Sequence, residues 1–409
     1  MVLKKHFLPC WFSYLLLLTA YSYWSWLPTA PNTFLFSQSN FVAWQYVVWA
    51  KLTPNHLLLT ISYGVLILLL FANFLWLLRI WQKSSSKFNL KKVLLVVLGT
   101  ALPLFFAFNV LSFDVFNYAF NAKMVMHYHA NPHRQVALDF RHDPWLDFMH
   151  NVHTSAPYGY VWTGITMFFY FLSGGKLLLL WLGLRGGNLL VMLALLTTIV
   201  ALAKKTTRPI NTQLLLALFA NPLVLLELIG NIHNDWWMMW PALGAIYYLY
   251  PSKSARLSGK QIILGIAFLM LSISIKYATV VLLPLLLAIN LPVNCLPYWQ
   301  KIHCWLRQNF FTLAALLLLL PLLTSRSQLF HPWYLTWSLS FYPLIESKLL
   351  RRLLLLFSFA SLCRYLPFLL IMGYDSHTLA YQQLITSLPG LYLLYEAGKK
   401  FSQHYVAKK

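Results

Sequence analysis

The chain has 409 residues, of which 59% are hydrophobic and 10% are charged. This composition excludes a soluble globular protein, and the length excludes a simple membrane anchor, so the chain is expected to cross a membrane many times. The formal charge of +22 would suit a nucleic-acid partner, but the basic residues punctuate apolar runs instead of clustering, so no nucleic acid is expected to bind.

The apolar runs follow one another in chain order. Phe7 to Leu27 comes behind Lys4 and Lys5 without a clear cleavage site, so we interpret it as an uncleaved first span. His56 to Ile80 and Val93 to Leu111 are the next two. Further apolar runs lie at 159–173, 177–203, 211–229, 236–250, 261–275, 278–290, 310–323, 334–345, 353–372 and 379–395. Several are shorter than the ~20 residues that a full crossing needs.

Charge sets the predicted orientation, because short cytoplasmic loops carry the excess of Lys and Arg. Placing the amino terminus inside puts most of the 31 basic residues inside and most of the nine acidic residues outside. Both termini are then cytoplasmic and the loop 112–158 is external. This pattern predicts an integral membrane protein whose longest polar loop is external.

The number of crossings between 159 and 203 is inconsistent with the predicted orientation. The loop 112–158 is placed outside and Lys204–Arg208 inside, which requires an odd number of crossings, but two apolar runs lie between them. Arg185-Gly186-Gly187 interrupts the second run, and glycines tolerate a break, so the sequence favours a partial or re-entrant helix over Lys176 to Leu184. The predicted fold is a single, all-α, polytopic membrane domain over 1–409, with about twelve transmembrane helices, or thirteen to fourteen if the run 177–203 splits.

The loop 112–158 is the longest polar passage of the chain. Read as a helix, its start places Asp114, Asn117 and Tyr118 on one face and phenylalanines on the other. This pattern predicts an interfacial helix, in which Asp114 either carries chemistry or only stabilises the first turn. The aspartates at 139, 143 and 147 are expected at the loop surface, as are most of the histidines.

A second polar cluster follows Asn221-Pro222. Glu227 lies late in an apolar span, where a carboxylate marks either a functional site or an internal hydrogen-bonded partner. The residues after it are expected at the external mouth, where they either contact sugar hydroxyls or order a turn: Asn231, His233, Asn234 and Asp235.

External cations are few, and two of them stand near aromatic residues. Lys276 separates two apolar runs, and Arg326 precedes His331-Pro332-Trp333-Tyr334, so the external loop 324–333 is a candidate contact for a lipid-linked phosphate. Both cations could equally snorkel to lipid headgroups. His127 and His129 raise a metal hypothesis, but their spacing matches no tight site, so a divalent metal is not favoured and no cofactor is expected.

In order and placement these passages resemble the polyprenol-phosphate-dependent mannosyltransferases of the GT-C superfamily, in particular the bacterial α-1,6-mannopyranosyltransferase-like group. The resemblance covers roughly 110–340, and it implies a location in a bacterial plasma membrane. The motifs that carry it are Ser112-x-Asp114 with Tyr118, Asn131-Pro132, Ala156-Pro157-Tyr158-Gly159, Asn221-Pro222 through Glu227, Gly230-Asn231-x-His233-Asn234-Asp235, Lys276, and Pro332-Trp333-Tyr334-x-x-Trp337. His133 and Tyr160 depart from the family pattern, which usually has tyrosine and proline there.

The resemblance implies a GT-C-like bundle that transfers a hexose, most naturally mannose, from a polyprenyl-phosphate donor to a glycan or lipid-linked acceptor, with inversion. It implies that Asp114 is the general base and that Lys276, Arg326 and His331 hold the donor phosphate. The implied sugar and acceptor contacts are Asn117, Tyr118, Tyr158, Glu227, Asn231, His233, Asn234, Asp235, Trp333 and Tyr334. No Asp-x-Asp pair stands at Asp114, so a metal-bridged donor is not favoured.

A multispan transporter or flippase for a polar lipid or glycan is the alternative. Transporters place ionisable groups near the midplane, in broken helices and often in two related halves. Glu227 favours this alternative, whereas the single large loop and the positions of Asp114 and Asp235 at helix ends favour the transferase.

Overall fold

The computed structural model describes residues 2–29, 39–84, 89–251, 257–291, 297–323, 330–373 and 375–406. These residues form helices and turns, without a strand among them, as predicted for an all-α protein. The helices are α1 (Val2–Trp24), α2 (Ser39–Leu52), α3 (His56–Ser84), α4 (Leu90–Ala101), α5 (Asp114–Met126), α6 (Tyr160–Leu172), α7 (Leu177–Lys205), α8 (Thr212–Phe219), α9 (Pro222–Val224), α10 (Asp235–Leu249), α11 (Gly259–Ile275), α12 (Leu283–Ala288), α13 (Pro297–Leu317), α14 (Leu335–Leu339), α15 (Lys348–Cys363), α16 (Tyr365–Ile371) and α17 (Ser376–Val406).

Some of these helices have the length and composition of membrane spans. Within the described ranges, three qualify by themselves: His56–Gln82, Leu177–Lys205 and Lys348–Ile371. Thr212–Phe219 and Pro222–Gly230, bent by 44°, form a fourth if they are counted together. Shorter apolar helices are Tyr160–Leu172, Gly259–Ile275 and Tyr277–Ala288. The chain is therefore a helical membrane protein, and its total of about twelve crossings stays a prediction.

The outer helix faces expose large aliphatic side chains. Such side chains have a lower free energy in contact with lipid hydrocarbon than in contact with water. On α11, Ile263, Ile266 and Met270 recur with helical spacing and are 69%, 51% and 55% exposed. On α3, Leu57 and Ile61 are 60% and 52% exposed. Contiguous apolar surface of this kind is typical of helices that face lipid.

The expected break at Arg185-Gly186-Gly187 is wrong, because α7 runs unbroken for 29 residues. Gly187 is where the rings of Phe169 and Trp237 approach the helix, and a Cβ atom there would lie 2.7 Å and 2.9 Å from them. The glycine therefore serves side-chain packing, which offsets its helix-propensity cost of about 1 kcal/mol. Of the two apolar runs in this region, α6 is the one that is shorter than a full crossing, because its 13 residues fall below the ~20 that a crossing needs.

Three helix ends meet at one end of the bundle. Asp114 begins α5, Asp235 begins α10, and Lys276 directly follows α11. α10 packs against both α7 and α11, and α5 packs against α6. This arrangement brings residues that are far apart in sequence to a common site.

Candidate active site

Asp114 occupies the first turn of α5, where the helix dipole favours a carboxylate. Its side chain is 17% exposed, and it accepts a hydrogen bond of 2.9 Å from the Tyr158 hydroxyl. Burial raises the pKa of the Tyr158 phenol well above 10, so the phenol keeps its proton and remains a donor. Asp114 therefore presents a partly exposed carboxylate that Tyr158 holds in place.

The aromatic side of α5 does not lie in a membrane interface, which corrects the expectation of an interfacial helix. Phe116 and Phe120 are 2% and 0% exposed. Phe116 packs against Phe108 and Phe148 within the protein. The loop 112–158 folds over these two rings.

Asp143 is buried too, in contrast to the loop-surface position predicted for it. Lys123 of α5 forms a salt bridge with it at 2.5 Å, and the Tyr128 hydroxyl donates to it at 2.7 Å. Burial opposes ionisation, but hydrogen bonds from Lys123, the Trp145 backbone N–H and Tyr128 hold the pKa of the Asp143 carboxyl below 3.8. The pair ties the end of α5 to the loop, while Asp139 and Asp147 are exposed as predicted.

Two residues that depart from the family pattern contact each other. The ring of His133 packs on that of Tyr160 with centroids 3.9 Å apart, and its Nε2 lies 3.0 Å from the Thr163 hydroxyl. Desolvation lowers the pKa of His133. His133 and Tyr160 therefore connect the loop to the start of α6, and neither residue lines the cavity beside Asp114.

The backbone is irregular between α9 and α10. Leu225–Gly230 form a π-helical turn, and Ile232 adopts φ 59°, a strained conformation for a β-branched residue. Such a segment leaves carbonyl groups without helical partners, and a buried carbonyl needs one. Strained backbone of this kind clusters at functional sites.

Two polar residues of α7 supply those partners. The Asn188 amide donates to the carbonyls of Leu228 and His233 at 2.6 Å and 3.0 Å. Arg185 is fully buried and donates to the Gly230 carbonyl at 2.7 Å. Sequence reasoning missed both residues, although their spacing of three on an apolar helix is the signal that could have revealed them.

Glu227 is fully buried inside this segment. The Tyr365 hydroxyl donates to it at 2.9 Å, and the Asn231 amide donates at 3.1 Å. This corresponds to the internal hydrogen-bonded alternative in the sequence interpretation. Glu227 and Asn231 are both 0% exposed, so neither faces an open surface, and their contact with a sugar stays a prediction.

His233 lies between the two carboxylates. Its Nε2 lies 3.3 Å from the Glu227 carboxylate, and its Nδ1 lies 3.8 Å from Asp114. Its ring stacks on Trp333 with centroids 3.9 Å apart. His233 is fully buried, so it lies behind Asp114 and not at an open mouth.

Asn234 and Asp235 are likewise 0% exposed, which corrects their expected position at the mouth. Asp235 forms a salt bridge of 2.8 Å with Lys276, and the Trp337 indole N–H donates a hydrogen bond to the same carboxylate. The Lys276 ammonium lies 5.5–5.6 Å from three aromatic ring centroids, those of Tyr158, Tyr334 and Trp337. Asp235 and the rings fix the direction of this cation.

His331 stacks on the other side of Trp333, with ring centroids 4.4 Å apart. Burial lowers its pKa to about 4, so it is neutral near pH 7. A neutral imidazole can still donate a hydrogen bond, and the contact of His331 with the donor phosphate stays a prediction. Arg326 lies outside the described residues, as does most of the proposed contact loop 324–333.

A cavity of about 580 Å³ opens beside Asp114. Of the residues predicted for the site, six line it: Asp114, Tyr158, Lys276, His331, Trp333 and Tyr334. The predicted site residues that do not line it are Asn117, Tyr118, Glu227, Asn231, His233, Asn234 and Asp235. Asn151 and Trp337 also line the cavity, and the list of predicted site residues did not include them.

Among the described residues, no group of three or more His, Cys, Asp and Glu side chains could hold a metal ion. His127 and His129 of the metal hypothesis lie in the exposed part of the loop.

A protein-family model described as "Alpha-(1->6)-mannopyranosyltransferase, N-terminal domain" matches residues 13–291. No curated protein and no solved structure matches the chain. The matched range includes Asp114, the segment around Glu227, and Lys276, whereas His331 and Trp333 follow it.

Proposed function

The chain belongs to the alpha-(1→6)-mannopyranosyltransferase family and is a glycosyltransferase that transfers mannose, and from this premise we propose its donor, mechanism and orientation. The donor is a mannose linked to a polyprenyl phosphate. The acceptor is a glycan or a lipid-linked sugar at the external face of the plasma membrane. Asp114 is the general base, and the anomeric configuration inverts.

In this reaction one bond forms as another breaks. The acceptor oxygen attacks the anomeric carbon of the mannose, the bond from that carbon to the phosphate oxygen breaks, and Asp114 takes the acceptor's proton. The polyprenyl phosphate leaves with the bonding electrons. Such transfer needs a carboxylate near the attacking oxygen and a positive charge near the departing phosphate.

The observation that carries the proposal is a single cavity with both groups on its wall. Asp114 and Lys276 line it together, and Tyr158 contacts both, donating to the carboxylate while its ring lies 5.6 Å from the ammonium. Asp114 can reach an acceptor hydroxyl, and Lys276 can reach a phosphate. A base and a cation on the wall of one cavity fit a group transfer from a phosphate.

The remaining wall fits a lipid-linked donor. Val280, Val281 and Leu320 line the cavity on the side of the turn that follows Lys276. An apolar wall next to the cation accommodates the first isoprene units when Lys276 contacts the phosphate. A donor already activated on a phosphate needs no nucleotide-binding domain.

The sugar contacts follow from the same cavity. Tyr334 offers its ring to the pyranose, Trp333 offers the ring edge that its two stacked histidines leave uncovered, and His331 offers a neutral imidazole donor. Asn117 has a buried Oδ1 without a hydrogen-bond partner among the described residues, and it lies one helical turn after Asp114 with Tyr118. This pair remains a candidate contact for an acceptor that enters over α5.

His233 and Glu227 act on the base from behind. The buried histidine fills the space behind the Asp114 carboxylate, and Glu227, to which Tyr365 donates a hydrogen bond, lies on the other side of the histidine. Glu227 is therefore a positioning residue. The transporter alternative rested chiefly on Glu227, and membership of a transferase family removes the need for it.

The donor class is tested by supplying proteoliposomes with polyprenyl-phosphate mannose or with a nucleotide-linked mannose, and by following mannose transfer to an added mannoside. We expect transfer from the lipid donor alone, with the product anomer opposite to that of the donor by NMR. Transfer from the nucleotide sugar without the lipid would refute the donor assignment, and a retained anomer would refute the single displacement.

A further inference from the structure

A second cavity, of about 530 Å³, lies between the ends of α7, α10 and α13. Its wall includes three cations, Lys205, Arg208 and Arg307, and one carboxylate, Glu346. We propose that this cavity binds the phosphate headgroup of an anionic phospholipid in the membrane leaflet opposite the active site.

Helix lengths place this cavity far from Asp114. α7 carries Asn188 beside the catalytic segment and Lys205 at its end, and 17 residues of helix span about 25 Å. α10 likewise begins with Asp235 at the catalytic site and ends at Leu249, next to Tyr250 of the second cavity. Since a bilayer's hydrocarbon core is about 30 Å thick, the two cavities lie near opposite membrane surfaces.

Backbone carbonyls and aromatic rings hold the cations in place without cancelling their charge. Lys205 donates to the Tyr247 carbonyl, and its ammonium lies 5.1 Å from the Tyr247 ring. Arg307 donates to the Pro251 carbonyl at 2.7 Å and lies 5.8 Å from the Tyr250 ring. These contacts orient both side chains and leave further N–H groups for an anion.

Only Arg208 has a carboxylate partner among the residues that line the cavity. It forms a salt bridge of 2.7 Å with Glu346, whose side chain is 55% exposed, and it donates to the carbonyls of Leu344 and Gln308. Three cations against one exposed carboxylate leave a surplus of positive charge. A phosphate group would neutralise that surplus through charge-assisted hydrogen bonds.

The surroundings favour a lipid over free phosphate. Trp305 stands two residues before Arg307 on α13 and is 53% exposed, as is typical of tryptophans at the headgroup level of a membrane. Basic pockets between transmembrane helices on the cytoplasmic side are typical binding sites for anionic headgroups. The charge pattern of the sequence places this end of the bundle on that side.

Native mass spectrometry of the full chain in detergent tests the proposal, with phosphatidylglycerol and phosphatidylcholine as probes. Lys205→Gln with Arg307→Gln should weaken the apparent affinity for the first phosphatidylglycerol roughly tenfold to thirtyfold, at about 1 kcal/mol per cation. The matched control is Lys204→Gln with Lys301→Gln, which removes equal charge from exposed residues outside the cavity. The control should bind within about twofold of the parent.

Equal losses in the two double variants would overturn the site, because diffuse charge would then explain binding. Displacement of bound phosphatidylglycerol by low millimolar inorganic phosphate would overturn the lipid assignment. Mannose transfer in phosphatidylcholine nanodiscs checks that each variant is folded. If the cavity double variant does not fold, Arg307→Gln alone should weaken binding about fivefold, and unchanged binding there would count against the proposal.

Discussion

Replacing Lys276 by Gln separates two tasks of this cation, namely pairing with Asp235 and contacting the donor phosphate. Asp235 is fully buried, and Lys276 is bonded to it at 2.8 Å. Breaking a buried pair from one side costs about 3–5 kcal/mol, because the other charge loses its partner. We therefore expect the variant to have a lower free energy of unfolding by an amount of this order.

Donor use should fall for a separate reason. A charge-assisted hydrogen bond to a phosphate contributes about 1.5–3 kcal/mol, which corresponds to roughly tenfold to a hundredfold in kcat/KM at limiting donor. The assay measures mannose transfer at varied polyprenyl-phosphate mannose, together with the melting temperature of the same preparations.

Asp235→Asn added to Lys276→Gln distinguishes the two tasks. The double variant has no unpaired buried charge, so it should regain most of the lost stability, while its donor defect should persist. If the double variant regains donor use to within about threefold of the parent, Lys276 serves only to neutralise Asp235, and the donor-phosphate assignment is refuted.

Three further predictions concern stability and are measured as melting temperatures. Asp143→Asn should lower the free energy of unfolding by about 1–3 kcal/mol at pH 7. Because the pKa of the Asp143 carboxyl lies below 3.8, the melting temperatures of parent and variant should converge as the pH falls below that value. Burial lowers the pKa of His331 to about 4, so stability contributed by its neutral form is complete above pH 6.5 and is lost towards pH 4; His331→Asn should flatten this dependence. Gly187→Ala should cost about 1–3 kcal/mol by crowding two aromatic rings, whereas Gly186→Ala, which meets no atom within 4 Å, should be neutral or stabilising by up to about 1 kcal/mol.

Local patterns in the sequence revealed the ends of elements that carry the site. Asp114 begins a helix because it follows an apolar run and precedes a helical alternation of polar and aromatic residues, and Lys276 separates two apolar runs. The position of Glu227 in an apolar span identified it as constrained. Each of these inferences uses residues within a few turns of one another, where spacing determines which side chains share a face.

The long-range partners could not be predicted in this way. Tyr365 reaches Glu227 across 138 positions, and Arg185 reaches the Gly230 carbonyl across 45. The sequence shows Arg185 only as an interruption beside two glycines, because its partners are backbone carbonyls that leave no residue signature. The residues 231–235 were expected at an open mouth because local spacing does not show which distant segments pack against them. In the structure, side chains from α7 and the segment around Trp333 cover them.

The central claim is that Asp114 takes the acceptor's proton during mannose transfer. Its most direct test is the rate of transfer from polyprenyl-phosphate mannose by Asp114→Asn at saturating donor and acceptor. Asp147→Asn, which removes an exposed carboxylate from the same loop, is the matched control. We expect Asp114→Asn to lose about 10²–10⁴-fold in kcat with its melting temperature and donor KM little changed, and Asp147→Asn to retain the parental rate. A rate for Asp114→Asn within about threefold of the parent would contradict the assignment of Asp114 as the base.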